Sequence, residues 1–249
     1  MNAVRQLKAE IERIADQKRA KLLQRYFKTG KGEYGEGDIF LGITVPQSRK
    51  IAIKFENLDF ASIEKLLHSK LHEERLIALL ILVNNFSKGS DPLKKKIYDF
   101  YLNNTKYINN WDLVDLSAPN IVGNFLWNQQ RGPSSAKASA GKPVENNPIL
   151  IKLAKSESIW ERRIAVLSTF RFIKENQFRD SLKIAKMLLK DDHDLIQKAV
   201  GWMLREIGKR DLETEIEFLN KHYQKMPRTM LRCSIEKFPE KLKMFYLKK

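Results

Sequence analysis

The sequence predicts an all-α chain in which paired helices stack as a solenoid. Apolar residues recur with the helical period in nearly every segment, and strand signals are weak throughout. Helix, short break and helix alternate about every 35 to 40 residues, the spacing of paired-helix arrays. No two repeats are close in sequence, so the periodicity is one of structure.

The first stretch, "VRQLKAEIERIADQKRAKLLQRYF", puts Val4, Leu7, Ile11, Ile14, Leu22 and Phe27 on or near one stripe and reads as an amphipathic helix. "KTGKGEYGEGD" (28–38) then holds a literal G-x-G-x-x-G at Gly30, Gly32 and Gly35. A dinucleotide fingerprint needs a preceding strand and a βαβ unit, and neither is present, so the stretch reads as a Gly-rich turn closing the first helix. Helical patterns follow at 60–68, 73–86 and 91–103, the last with Asp91 as cap and Pro92 as first helical position. "NNWDLVDLS" (109–117) continues the series. "NQQRGPSSAKASAGKPVENNP" (128–148) offers almost nothing to bury and is expected to be a flexible insertion within a single repeat domain spanning 1–249. Helical patterns resume at 148–155, 157–173, 177–189, 193–208 and 211–224, and "DDHD" (191–194) reads as the cap cluster of the fourth of these.

Composition bounds the function. With 249 residues, 43% of them hydrophobic, the chain can bury a substantial core. No run of about 18 apolar residues occurs, and the charged N-terminus is unlike a signal peptide, so a soluble, cytoplasmic protein is expected. Cys233 is the single cysteine, which excludes an intramolecular disulfide and a thiolate zinc site; it reads as a small core residue. The 46 basic against 30 acidic side chains, a formal charge of +16, favour a polyanionic partner. Nucleic acid is the foremost candidate because phosphate contacts release condensed counterions; an acidic membrane surface and mere solubility are the competing readings.

Three residues sit where their chemistry is costly. Trp111 and Asp115 are one helical turn apart, so Asp115 falls among Trp111, Val114, Ala118 and Val122. A carboxylate there must be partnered, as in capping the next helix ahead of Pro119, or must face a wet cleft. Asp112 projects elsewhere, suited to the electrostatics of a helix start. In "SIWERRIAVLSTF", Arg163 lies on the apolar stripe of Trp160, Ile164, Leu167 and Phe170, where its fork wants a carboxylate, Asp115 being an internal candidate, or a phosphate. Trp202 lies off the buried face of its helix beside Lys198 and Arg205, fit either for a sugar–phosphate backbone or for covering a helix seam. His68 and His72 have the spacing of a metal pair, but no third ligand is evident, and both read as surface histidines. No P-loop or nucleophile elbow occurs.

Together "RYFKTGKGEYGEGDIFLGITVPQSRK", "HEERLIALLILV", "NNWDLVDLSAPNIVG", "WERRIAVLSTF" and "IQKAVGWMLREIGK" resemble the DNA alkylation repair family of AlkD-like glycosylases, over most of residues 1–240 apart from the insertion. The resemblance implies a HEAT-like helical-repeat solenoid curving around duplex DNA, with a concave basic cleft. It implies excision of positively charged N3- and N7-alkylated purines without flipping the base into a pocket, and without metal or cofactor. By the same resemblance Asp115 is the catalytic carboxylate, Trp111 and Trp202 lie against the deoxyribose, Arg163 holds backbone phosphate, and Tyr26 lines the same cleft. The expected partner is double-stranded DNA containing alkylated bases, bound by a monomer. A catalytically inactive HEAT-like protein binding branched or damaged DNA is the alternative, and a scaffold for acidic proteins a third reading.

Overall fold

A computed structural model describes residues 3–131 and 147–248. Sixteen α-helices account for most of them, and the one extended pairing is an isolated parallel bridge between Ile39 and Leu71. The chain is all-helical, as its periodicity predicts, and groups into two compact units, 1–117 and 118–249.

The first unit contains α1 (Ala3–Arg13), α2 (Gln17–Tyr26), α3 (Val45–Lys54), α4 (Phe60–Leu67), α5 (His72–Lys88), α6 (Asp91–Asn103) and α7 (Trp111–Ser117). The stretch expected to be one N-terminal helix is two. Asp16 takes the β conformation and its carboxylate accepts from the Arg19 N–H, capping α2 and ending the run that α1 began. Thr44 and Gln47 form a reciprocal capping box at α3, with Pro46 in its first turn. Ser90, not Asp91, takes the cap position of α6, which moves Pro92 to the second helical position.

Helix α5 is the centre of this unit. "LIALLIL" is apolar on every side, and residues 76–82 are all buried. α3, α4, α6 and α7 pack against it. Because the helix is enclosed on all sides, its first turn is enclosed too: His72, Glu73, Glu74 and Arg75 are each at most 3% exposed. Such groups persist only when partnered. Both Glu73 oxygens accept the Leu41 N–H, and one of them also accepts from Gly42 and Ile43. Glu74 meets Lys8 at 2.8 Å. This knot of charge fixes the loop that leads from α2 into α3.

The second unit contains α8 (Asn124–Arg131), α9 (Pro148–Ala154), α10 (Ile159–Ser168), α11 (Phe170–Lys174), α12 (Arg179–Met187), α13 (Asp194–Gly208), α14 (Leu212–His222), α15 (Arg228–Ser234) and α16 (Glu240–Leu247). A single π turn, Pro119–Gly123, precedes α8. Gly123 lets that turn approach α10, since a Cβ there would stand 2.5 Å from the Ser168 carbonyl oxygen. Gly201 does the same for α13 against α15, with Met230 O and Cys233 Cβ both 2.5 Å away. Cys233 is accordingly half-buried at that seam. The expected insertion at 128–148 begins inside α8 and ends on the cap and first residue of α9; residues 132–146 lie outside the described residues.

No helix among the described residues is long and apolar enough to cross a membrane.

Candidate functional site

In the first unit the candidate residues gather at the start of α7. This helix has seven residues, too few to hold itself, so its placement comes from side-chain contacts. Asn110, wholly buried, accepts the Trp111 N–H on Oδ1 at 2.8 Å, and Asp112 Oδ1 accepts from Leu113 at 2.8 Å. At the other end Tyr101 Oη and Ser117 Oγ are 2.9 Å apart.

The Trp111 ring is held on several sides. It stacks on Phe27, with centroids 4.9 Å apart and planes inclined by 12°, and Tyr26 meets it edge-on at 6.0 Å. The Tyr34 hydroxyl is hydrogen-bonded to the Trp111 side chain, whose indole N–H is the donor. Phe27 in turn stacks on Phe40 at 4.8 Å. Trp111 remains partly exposed and Tyr26 is 65% exposed, so both offer ring surface to a ligand.

Beneath this aromatic stack lies a buried polar network. His72 Nε2 is 2.8 Å from Asp112 Oδ2, and Nδ1 is 3.1 Å from Asp38 Oδ2. Asp38 also accepts from Arg75 at 2.6 Å and from Asn110 at 3.1 Å. Burial favours the neutral imidazole, but the two carboxylates outweigh it, Asp112 most, and push His72 up to about 9. Burial works against Asp38 as well, and the hydrogen bond from His72 with the Arg75 charge still holds it below the usual carboxylate range. His72 is therefore an imidazolium at neutral pH, and two anions face two cations. The surface position expected for His72 is corrected: it is 1% exposed and serves as the hinge of the network. His68, four residues earlier, is exposed, bonds Asn104 at 2.8 Å and stacks on Tyr107 at 3.6 Å.

Asp115 projects one turn along α7 from Trp111, partly exposed, and takes part in polar interactions of its own. Its negative charge adds to the burial that raises the Tyr101 phenol.

The second unit carries Arg163 and Trp202. Arg163 is buried on α10, as its place on the apolar stripe predicts, and Nη1 donates to the Leu195 carbonyl. Its neighbour Arg162 turns outward and closes a knot with Asp191 at 2.7 Å and the carbonyls of Ser156 and Glu157. His193, rather than an aspartate of "DDHD", caps α13 by accepting from the Leu195 N–H. Trp202 is partly buried; its indole N–H donates to Glu206 at 3.1 Å and its ring lies 6.0 Å from Phe170. The cations flanking it are paired, Lys198 with Asp194 and Arg205 with Glu236.

Two open cavities, of about 590 and 420 Å³, are lined by none of the candidate residues. Among the described residues no group of three His, Cys, Asp or Glu side chains is placed to hold a metal ion.

These features define an all-helical repeat protein with a partly exposed aromatic and acidic patch on a short, side-chain-fixed helix. The chain belongs to the DNA alkylation repair enzyme family, whose model matches residues 7–238. A solved structure described as a predicted DNA alkylation repair enzyme from Enterococcus faecalis is similar to it, with a TM-score of 0.66 at 15% identity, over 91% of this chain and 97% of that one. At that identity the likeness shows the fold. No curated protein sequence matches the chain. Family membership assigns the protein to DNA repair, with DNA as its substrate.

Proposed function

We propose that this protein is a DNA glycosylase hydrolysing the N-glycosidic bond of N3- and N7-alkylated purines in duplex DNA, acting as a monomer without flipping the base into a pocket. The observation that carries the reading is the pairing on α7: a partly exposed Trp111, braced by Phe27, Tyr26 and Tyr34, with a carboxylate at Asp115 one turn away.

The chemistry suits those groups. An alkylated purine already carries positive charge and leaves as a neutral base with the bonding electrons, so no general acid is needed. Positive charge then develops on the deoxyribose. The Asp115 carboxylate stabilises that charge and orients the water that adds to C1′, whose proton passes to Asp115 or solvent. The negative face of Trp111 favours the same cation; by the family resemblance Trp202 is assigned a sugar contact and Arg163 a phosphate, and the net charge of +16 suits the DNA backbone.

The test is release of free 7-methylguanine or 3-methyladenine from methylated duplex DNA. Asp115→Asn is expected to slow release by a factor of about 10² to 10³, the loss of roughly 3 to 4 kcal/mol from a preorganised charge. A folded wild-type protein that binds DNA and releases no base would instead be a non-catalytic DNA-binding member of the family.

A further inference from the structure

We infer that His72 is a positioning residue for Trp111, fixing the start of α7 through Asp112 on one side and through the Phe27 ring on the other. The inference rests on the proposed function only for its kinetic arm.

The geometry gives His72 two independent routes to the same side chain. Its Nε2 is 2.8 Å from the carboxylate of Asp112, the residue that follows Trp111 in the chain. Its ring lies 5.2 Å from Phe27 and 4.3 Å from Phe40, and Phe27 is the ring on which Trp111 stacks. Asp38 closes the circuit: it binds His72 from below and binds Asn110, whose Oδ1 holds the Trp111 N–H. Thus residues 110, 111 and 112 each depend on His72 directly or through one intermediate. A helix of seven residues depends on such side-chain contacts to keep its first turn in register.

The charges around the ring complete the argument. Asp38 from the 38–40 segment, Asp112 from α7 and Arg75 from α5 are the charged groups that face it, with Asn110 as the neutral partner. With His72 protonated, two carboxylates meet two cations. Removing that proton leaves the buried Asp38 with Arg75 and the half-buried Asp112 without its cation, and Asp112, the more exposed of the two, is the one able to withdraw toward water. It would carry the α7 backbone with it. A merely structural ion pair would lower stability on deprotonation without disturbing the partly exposed Trp111 ring.

The experiment follows the ring nitrogens of His72 and the indole N–H of Trp111 by NMR between pH 6 and 10 in the ¹⁵N-labelled wild-type protein. The chain has four histidines and four tryptophans, so Trp111→Phe and His72→Gln suffice for assignment. The Trp111 signal is expected to move with the His72 midpoint near 9, while those of Trp127, Trp160 and Trp202 do not. Tyr34, which burial raises from its ordinary value, titrates above the His72 midpoint. A Trp111 signal that stays fixed while His72 titrates overturns the inference, and this titration is read on the wild-type protein. In His72→Gln the Trp111 titration should vanish, and base release should fall about tenfold in rate constant with DNA affinity near wild type. If the wild-type protein releases no base, the glycosylase reading fails while the NMR arm still decides the role of His72. If release depends on Asp115 but Trp111 ignores His72, only the inference fails.

Discussion

The Tyr34 hydroxyl holds the indole N–H of Trp111, so a residue of the Gly-rich loop braces a ring on α7. Tyr34→Phe removes one neutral hydrogen bond from a partly exposed site. The expected cost is about 1 kcal/mol, a fall of roughly 2 to 4 °C in Tm, read by calorimetry. Base release should fall more than stability does, because the ring keeps its Phe27 stack but loses the contact that sets its rotation.

Two glycines separate backbone strain from crowding. Gly32 and Gly42 both adopt positive φ, 78° and 82°, but a Cβ at Gly32 meets nothing within 4 Å whereas one at Gly42 would stand 2.1 Å from the Asp16 carbonyl oxygen. Gly32→Ala should cost about 1 to 2 kcal/mol, the left-handed penalty alone. Gly42→Ala should cost well beyond that, because Asp16 O accepts from Ala20 within the capped start of α2 and cannot retreat. Urea midpoints of the two variants give the comparison; equal shifts would contradict it.

Stability is expected to decline with rising pH through two buried groups. His72 titrates near 9 when folded against 6.5 as its ordinary value, so its contribution is whole below about 6.5 and lost as pH climbs through about 9. Glu215, 1% exposed with one oxygen lacking a hydrogen-bond partner, is raised by burial to about 9 from 4.5, a shift that the Arg205 charge only reduces. Between those values the unfolded chain ionises and the folded chain does not, so stability falls by a few kcal/mol across the interval. Glu215→Gln abolishes its share of the slope. Denaturant unfolding of wild type and variant at pH 5, 7 and 9 measures it, and parallel curves would refute the assignment.

The exposed face of α2 carries Lys18, Lys21, Arg25 and Tyr26. If these cations meet phosphates flanking Trp111, Lys21→Gln with Arg25→Gln should weaken binding to any duplex about equally and reduce the log–log salt slope by about 2. An unchanged slope would place the DNA backbone elsewhere.

The helices were legible because most of them bury one stripe against their neighbours, and that stripe is written in the sequence at 60–68, 91–103 and 211–224. The short helix α3 escaped notice: its apolar residues Ile51 and Ala52 are buried, but Ile53 and Val45 face outward and blur the period. At the site, Trp111 and Asp115 stood out because their spacing conflicts with their environment. Asp38 and Tyr34 did not, and His72 reads as a surface histidine, because their meaning lies in contacts 34 to 77 residues away along the chain. One signal did exist. "HEER" precedes a run apolar on every side, and a helix enclosed all round must bury the charges of its own first turn.

The stretch "NNWDLVDLS" therefore carries two kinds of dependence three letters apart. A deep mutational scan scored by survival under alkylation would mark Asp112 and Asp115 as equally intolerant. Scored by cellular abundance, the two columns would part on the proposed function: substitutions at Asp112 would strand His72 and deplete the protein, while Asp115→Asn would cost activity before abundance.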